Sequence, residues 1–142
     1  MPRYTGVNLY VEWRDGVGSF PLSASRITFN AERTLHLIDN TAANAAYNTY
    51  LTGRQGFRAL WRGYYSGQQP PLGETALARL APGSAGALVW GELGNAPGKP
   101  KHGYNVIVTL LRLNVPANDG EISIKIEFVG TGAPLYGSEA VW

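Results

Sequence analysis

The sequence predicts a mainly β fold, and three observations predict it. Residues 26–39, "RITFNAERTLHLID", alternate between polar even positions (Arg26, Thr28, Asn30, Glu32, Thr34, His36) and apolar odd ones (Ile27, Phe29, Ala31, Leu35, Leu37), with Arg33 as the exception, which is the period of a strand. Eighteen glycines and nine prolines lie between short apolar stretches, the punctuation of a turn-rich sheet protein. Near the C-terminus two apolar runs flank Asn118-Asp119-Gly120, a hairpin signature.

Taken in order, "VNLYVEW" (residues 7–13) puts Val7, Leu9, Val11 and Trp13 on one face, and Asp15-Gly16 and Gly18 supply a turn. The strand 26–39 would run roughly 45 Å if extended, against a usual strand of about five or six residues. It gives way to "DNTAANAAYNTYLTGRQG", too polar for core. There Tyr47, Tyr50 and Leu51 have helical spacing, Thr41 or Asn40 offers an N-cap and Gly53 a stop, so a helical turn or two and an irregular loop are both open. The next strand starts at Phe57, with Phe57, Ala59, Trp61 and Tyr65 on one side and Arg58, Leu60, Arg62 and Tyr64 on the other; it suits an antiparallel partner of 26–39.

"PPLGETALARLAPG" (70–83) carries Pro71 near its start, Leu77, Leu80 and Ala81 on one face, and Pro82-Gly83 at its end, which marks the flanking α-helix. "ALVWGELG" reads as a short strand and "NAPGKPKHG" as a loop. In the closing hairpin, Ile122, Ile124, Ile126 and Phe128 form the buried face of the second strand, while Glu121, Ser123, Lys125 and Glu127 face away. The last ten residues have no period, so Trp142 is expected free in solvent or docked on a neighbour. Trp13 and Trp61 share the apolar parity; Trp90 and Trp142 are left to face outward.

The 142 residues make one domain, 1–142, long enough to bury a core without disulfides or metal. Only 15% are charged, well below the usual share of about 25%, so uncharged polar groups or partner subunits must cover much of the surface. The net charge of +2 comes without any run of like charges, which excludes a basic tail. Lacking cysteine, the chain has no disulfide scaffold, thiolate nucleophile or cysteine-bound zinc. No signal-peptide core or twenty-residue apolar span is present, so a soluble, unsecreted protein is expected, with no membrane partner.

His36 and His102 have no companions at metal-ligand spacing, the acids are scattered through turns and polar faces, and "GVGS" and "GTG" match no phosphate-loop spacing. No nucleophile and base pair is selected, and neither a catalytic nor a metal site nor a cofactor is expected. In "GFRALWRGYYSG" the aromatics Phe57 and Trp61 and the cations Arg58 and Arg62 point to opposite faces. A base-stacking reader is therefore disfavoured, while a nonspecific polyanion contact through the two arginines stays open.

The order "SRITFNAERTLHLIDN", an Ala/Tyr-rich loop, "GFRALWRGYYSG", a short helix and "VIVTLLRLNVPANDGEISIKIEFVGTGAP" resembles the tail tube (major tail) proteins of long-tailed bacteriophages and gene transfer agents, over roughly residues 6–136. The resemblance implies a β-sandwich or barrel with one flanking helix. It also implies a long β-hairpin, here residues 22–38 and 56–66, that joins those of neighbouring subunits in an intersubunit barrel. Hexameric rings would stack into a tube that carries DNA from capsid to host cell.

Arg26, Thr28, Asn30, Glu32, Thr34, His36, Arg58 and Arg62 would then line the lumen, and Ile27, Phe29, Leu35 and Leu37 would pack against the sandwich. Tyr47, Tyr50, Leu51 and Trp142 would make inter-ring or intersubunit contacts. Implied partners are further copies of the chain, a tape measure protein in the lumen, terminator and baseplate or distal tail proteins, and transient nonspecific double-stranded DNA. The implied location is the virion tail, assembled in the bacterial host cytoplasm. Family lumens tend to be acidic, whereas this face offers Glu32 against Arg26, Arg58 and Arg62. A tail terminator or baseplate ring, and a carbohydrate-binding β-sandwich using the tryptophans and tyrosines, are the alternatives.

Overall fold

The computed structural model describes residues 9–22, 25–43, 46–65, 74–117, 122–137 and 139–142. Its strands are β1 (Tyr10–Arg14), β2 (Ser19–Pro21), β3 (Ser25–Asp39), β4 (Tyr50–Tyr65), β5 (Ala85–Gly91), β6 (His102–Asn114) and β7 (Ile122–Pro134), with one helix, α1 (Glu74–Arg79), between β4 and β5. They form a single antiparallel sheet of seven strands in the order β2-β1-β5-β6-β7-β4-β3. Val7 and the Asn118-Asp119-Gly120 turn lie outside the described residues, as does Glu121.

The sheet closes over its own apolar face. Three strand spacings separate β1 from β7 and four separate β3 from β5, so flat neighbours would stand about 14 Å and about 19 Å apart. Yet the rings of Trp13 and Phe128 stack with centroids 5.9 Å apart, and those of Phe29 and Trp90 are 5.2 Å apart. Strand twist produces this folding-over, and the two halves pack as a sandwich does. Val11, Trp13, Trp61, Leu88, Val106, Val108, Ile124, Ile126 and Phe128 fill the inside. The alternation of β7 is therefore as expected: Ile122, Ile124, Ile126 and Phe128 are buried, and Ser123, Lys125 and Glu127 stand on the other face. Gly130 of β7 leaves room for Phe57 on the neighbouring strand β4, because a Cβ there would meet Phe57 Cβ at 2.8 Å.

α1 delivers Leu80, fully buried, and Leu77, partly buried, onto the core. Its last turn ends in Arg79, whose Nε donates to Asp15 Oδ2 at 2.8 Å and whose Nη2 donates to the Gly18 carbonyl at 2.7 Å. The helix is thus pinned to the β1–β2 turn.

Two sequence expectations are corrected, and one left open is decided. Among the described residues the segment after β3 forms no helical turn: Tyr50 and Leu51 already belong to β4, which starts seven residues before Phe57. Asn40 and Thr41 tie the tip instead of capping a helix, since the Asn40 N–H donates to the Thr49 carbonyl at 3.1 Å and the Thr49 N–H to Thr41 Oγ1 at 2.8 Å. Trp90 does not face outward; it is buried beside Phe57 and Tyr104, whose own rings stack 3.9 Å apart and lie within about 10° of parallel to it. Trp142 docks on its own chain, edge-on to Tyr10 with centroids 5.3 Å apart and under Lys101, while its backbone N–H donates to the Lys99 carbonyl at 3.0 Å.

Candidate functional site

The β3–β4 hairpin is the outstanding element. Its register sets Thr28 across from Arg62, Asn30 from Leu60, Glu32 from Arg58 and Thr34 from Gly56 on one face, and Phe29 from Trp61, Ala31 from Ala59 and Arg33 from Phe57 on the other. Thr28, Asn30, Glu32, Thr34, His36, Arg58 and Arg62 are all exposed and, with His36 at the register shift, belong to one polar sheet surface. The Arg26 side chain lies outside the described residues. The opposed parity of Arg58 and Arg62 against Phe57 and Trp61, read from alternation, is the observed one.

The apolar face of β3 divides in two. Ile27 and Phe29 pack against the core, as expected. Leu35 and Leu37 do not: they are 47% and 50% exposed, because the hairpin outruns the sandwich and none of the described residues covers its far end. Between Leu35 and Leu37 the register shifts by one residue, with Gly53 and Arg54 supplying the extra position on β4. A bulge of this kind reverses alternation on the strand that carries it. Leu51 therefore pairs with Ile38 on the otherwise polar surface, 54% and 47% exposed. Tyr47 in the tip is 83% exposed and Tyr50 52%. Tyr47, Tyr50 and Leu51 thus cluster at the hairpin tip, and Trp142 is elsewhere, on the far side of the sheet order.

Two sheet edges accompany this arm. β3 ends the sheet order, so its fifteen residues have one neighbour strand, β4. β6 pairs with β5 only from His102 to Ile107, followed by a Val108–Ser84 hydrogen bond of 2.9 Å. Among the described residues, positions 109–114 of β6 then pair with β7 alone. The segment β6-β7-β4-β3 is a four-stranded ribbon with an open edge on each side.

The polar surface of the hairpin continues over that ribbon, which alternation alone did not reveal. Arg62 stands opposite Lys125, and Lys125 opposite Arg112; Leu60 stands opposite Glu127, and Glu127 opposite Leu110. A Thr109 bulge, where the β6–β7 register shifts, brings Arg112 onto this face. The described charges on it are the cations Arg58, Arg62, Lys125 and Arg112 and the acids Glu32 and Glu127, of which Lys125 and Glu127 pair at 3.4 Å. A groove of about 870 Å³ opens under the apolar side of the arm, lined by Arg33, Leu35, Gln55, Phe57, Tyr104 and Thr131 among others.

Among the described residues, no three His, Asp or Glu side chains converge to hold a metal ion. His36 lies exposed on the hairpin, and His102 Nε2 is 2.7 Å from Glu92 Oε1 at the other end of the molecule. No helix is long and apolar enough to cross a membrane. The groups whose acidity the fold moves are structural. Asp15 is held far below the usual carboxylate range, first by the Arg79 guanidinium and then by the Val17 N–H, the Trp13 indole and the Gly18 N–H. Asp39 is lowered by the Thr41 hydroxyl and N–H.

No family model matches the chain, and no curated protein matches it. Solved structures do. A chain from the tail of an empty gene transfer agent particle, refined helically with C6 symmetry, superposes with a TM-score of 0.72 at 14% identity, over 95% of this chain and 99% of that one. A chain from the virion of a native gene transfer agent particle gives 0.69 at 14% identity, over 93% and 97%. A chain from the six-fold symmetrised baseplate of the anti-feeding prophage gives 0.66 at 11% identity, over 95% and 96%. The chain shares with these tail and baseplate components a fold that runs the length of both partners.

Proposed function

We propose that the protein is a structural tail subunit without enzymatic activity, which assembles through its β6-β7-β4-β3 ribbon into closed six-membered rings that stack as a tail tube for DNA. The observation that carries this reading is the fifteen-residue edge strand β3, unpaired on its outer side and flanked by half-exposed Leu35, Leu37, Ile38 and Leu51. An edge so long and apolar is an aggregation hazard for a lone chain. Pairing β3 of one copy with the open 109–114 edge of β6 in the next removes both edges together. Repeated around a ring, that head-to-tail contact closes a barrel.

The concave apolar face is already spent on the sandwich, so the polar surface bearing Thr28, Asn30, Glu32, Thr34, His36, Arg58 and Arg62 is the one turned to the lumen. The tip residues Tyr47, Tyr50 and Leu51 then reach the adjacent subunit or ring. The likeness to chains of gene transfer agent tails supports the reading, and the likeness to a baseplate chain supports its runner-up, a single-ring baseplate or terminator component. The tape measure protein and the terminator and baseplate proteins are the partners such a tube takes in the virion tail. A sugar-binding module is disfavoured because Trp13, Trp61 and Trp90 are buried and Trp142 is engaged by Tyr10 and Lys101.

Negative-stain electron microscopy over a rising protein concentration, with light scattering for mass, tests the proposal. Hollow cylinders are expected. Isolated hexameric rings that never stack would favour the terminator or baseplate role, and a persistent monomer at every concentration would overturn ring formation by the chain itself.

A further inference from the structure

On the polar surface of the ribbon, Arg62, Lys125 and Arg112 stand side by side on three neighbouring strands, β4, β7 and β6. One row further along the same face come Tyr64, Ser123 and Asn114, again directly in register. With strands about 4.8 Å apart and about 3.4 Å per residue, the two rows make a grid about 10 Å wide and about 7 Å deep. All six side chains carry hydrogen-bond donors, and together they line a depression of about 340 Å³.

Charge placement makes the grid unusual. Like charges directly opposite one another destabilise a sheet, yet here three cations are adjacent and no acid interrupts them among the described residues. Glu127 contacts Lys125 at 3.4 Å from the next row. Among the described residues Arg62 and Arg112 have no ion-pair partner, and both are exposed. In the middle of the same surface Glu32 faces Arg58, so that part is nearly balanced and the positive potential is confined to one end.

We propose that this grid binds the phosphate backbone of double-stranded DNA, independently of sequence. Guanidinium forks and an ammonium, set beside hydroxyl and amide donors, are the groups that hold phosphates. A duplex carries one negative charge per about 1.7 Å of axis, so a patch about 10 Å across meets several phosphates in any register, whereas an acidic protein surface has to match it carboxylate by carboxylate. The six donors are strand residues spread over a sheet surface, which meets phosphates rather than base edges deep in a groove, so bases are not read. The choice of DNA rests on the tail reading proposed above; in a closed ring the grid would recur in every subunit as a cationic band around one end of the lumen, a place where DNA is held in salt-dependent fashion between otherwise neutral rows.

The test uses the full chain, dispersed at low concentration, and fluorescence anisotropy with a mixed-sequence 30-base-pair duplex between 50 and 200 mM salt. A triple variant, Arg62→Gln, Lys125→Gln and Arg112→Gln, is compared with a control that loses the same charge elsewhere, Arg33→Gln, Arg54→Gln and Lys99→Gln. Neutralising the row relieves repulsion, so the triple variant is expected to melt no lower than wild type. Its binding should weaken and its log-log salt slope should drop by about 2.7, about a 40-fold difference across that salt range, while the control keeps the wild-type slope.

Equal loss in the two triples would overturn the site, as would equally tight binding of polyglutamate through the same three residues. Electron microscopy of the same proteins at rising concentration separates the two proposals. Rings or tubes from wild type and triple variant without DNA binding by either would sink the phosphate site and leave the tube standing. Row-dependent DNA binding by a chain that never forms rings would do the reverse.

Discussion

Asp15 shows how much of the fold one side chain can hold. Its carboxylate accepts from the Arg79 guanidinium, the Trp13 indole at 3.0 Å and the Val17 N–H at 2.9 Å, and so ties helix, core strand and turn together. These donors favour the charged form, hence the lowered pKa, with Arg79 the largest cause. A carboxyl whose folded value is depressed contributes stability that is fully present above its unfolded value, about 4, and is lost as the pH falls below that toward the folded value. Asp39 acts with the same sign. Asp15→Asn should therefore lower the melting temperature at pH 7 and flatten its fall between about pH 4 and pH 2. Thermal melts over that range check it: parallel curves for wild type and variant would assign the acid sensitivity elsewhere. The turn at Asp15-Gly16 was legible in the sequence from local preferences; the partnership with Arg79, sixty-four residues on, was not, since nothing local encodes it.

At the scale of the element, the hairpin has a buried base and an exposed arm, and substitutions along one strand should divide accordingly. Phe29 lies against Trp90 in the core, so Phe29→Asp places an unpaired charge there, at a cost of about 2 kcal/mol or more in fold stability. Leu37 and Leu51 are half exposed in the isolated chain, so Leu37→Asp and Leu51→Asp should leave its stability within about 0.5 kcal/mol yet abolish rings and tubes. Melting curves and sedimentation velocity on the three variants check the contrast; normal tubes from either leucine variant would remove the arm from the interface. Strand alternation announced β3 and the β6–β7 hairpin because a period of two is written in consecutive residues. It misjudged the start of β4 because Tyr50 and Leu51 precede the Gly53-Arg54 bulge, which hides the strand's continuity behind a change of phase.

For the whole molecule, stability comes from two halves of one sheet meeting over aromatic rings. Trp13 lies where β1 faces β7, fully buried, with a glycine at position 86 leaving room for its ring: a Cβ there would come within 2.5 Å of it. Trp13→Ala should cost about 3–5 kcal/mol, read as a shift in the denaturation midpoint, whereas a cost under about 1 kcal/mol would mean the halves do not depend on this contact.

The sequence by itself determined the mainly β class, the inward and outward faces of β7 and of the base of the β3–β4 hairpin, the flanking helix and the candidate polar surface. Each of these rests on local periodicity and on turn chemistry, which act between residues near in the chain. Only the tertiary structure decided that one sheet folds over itself, that Trp90 is core, that Trp142 docks on Tyr10 and Lys101, and that Arg62, Lys125 and Arg112 share a row. Strand order and bulges set those outcomes. They arise from twist and from packing between residues far apart in sequence, where one inserted position moves every side chain beyond it to the opposite face.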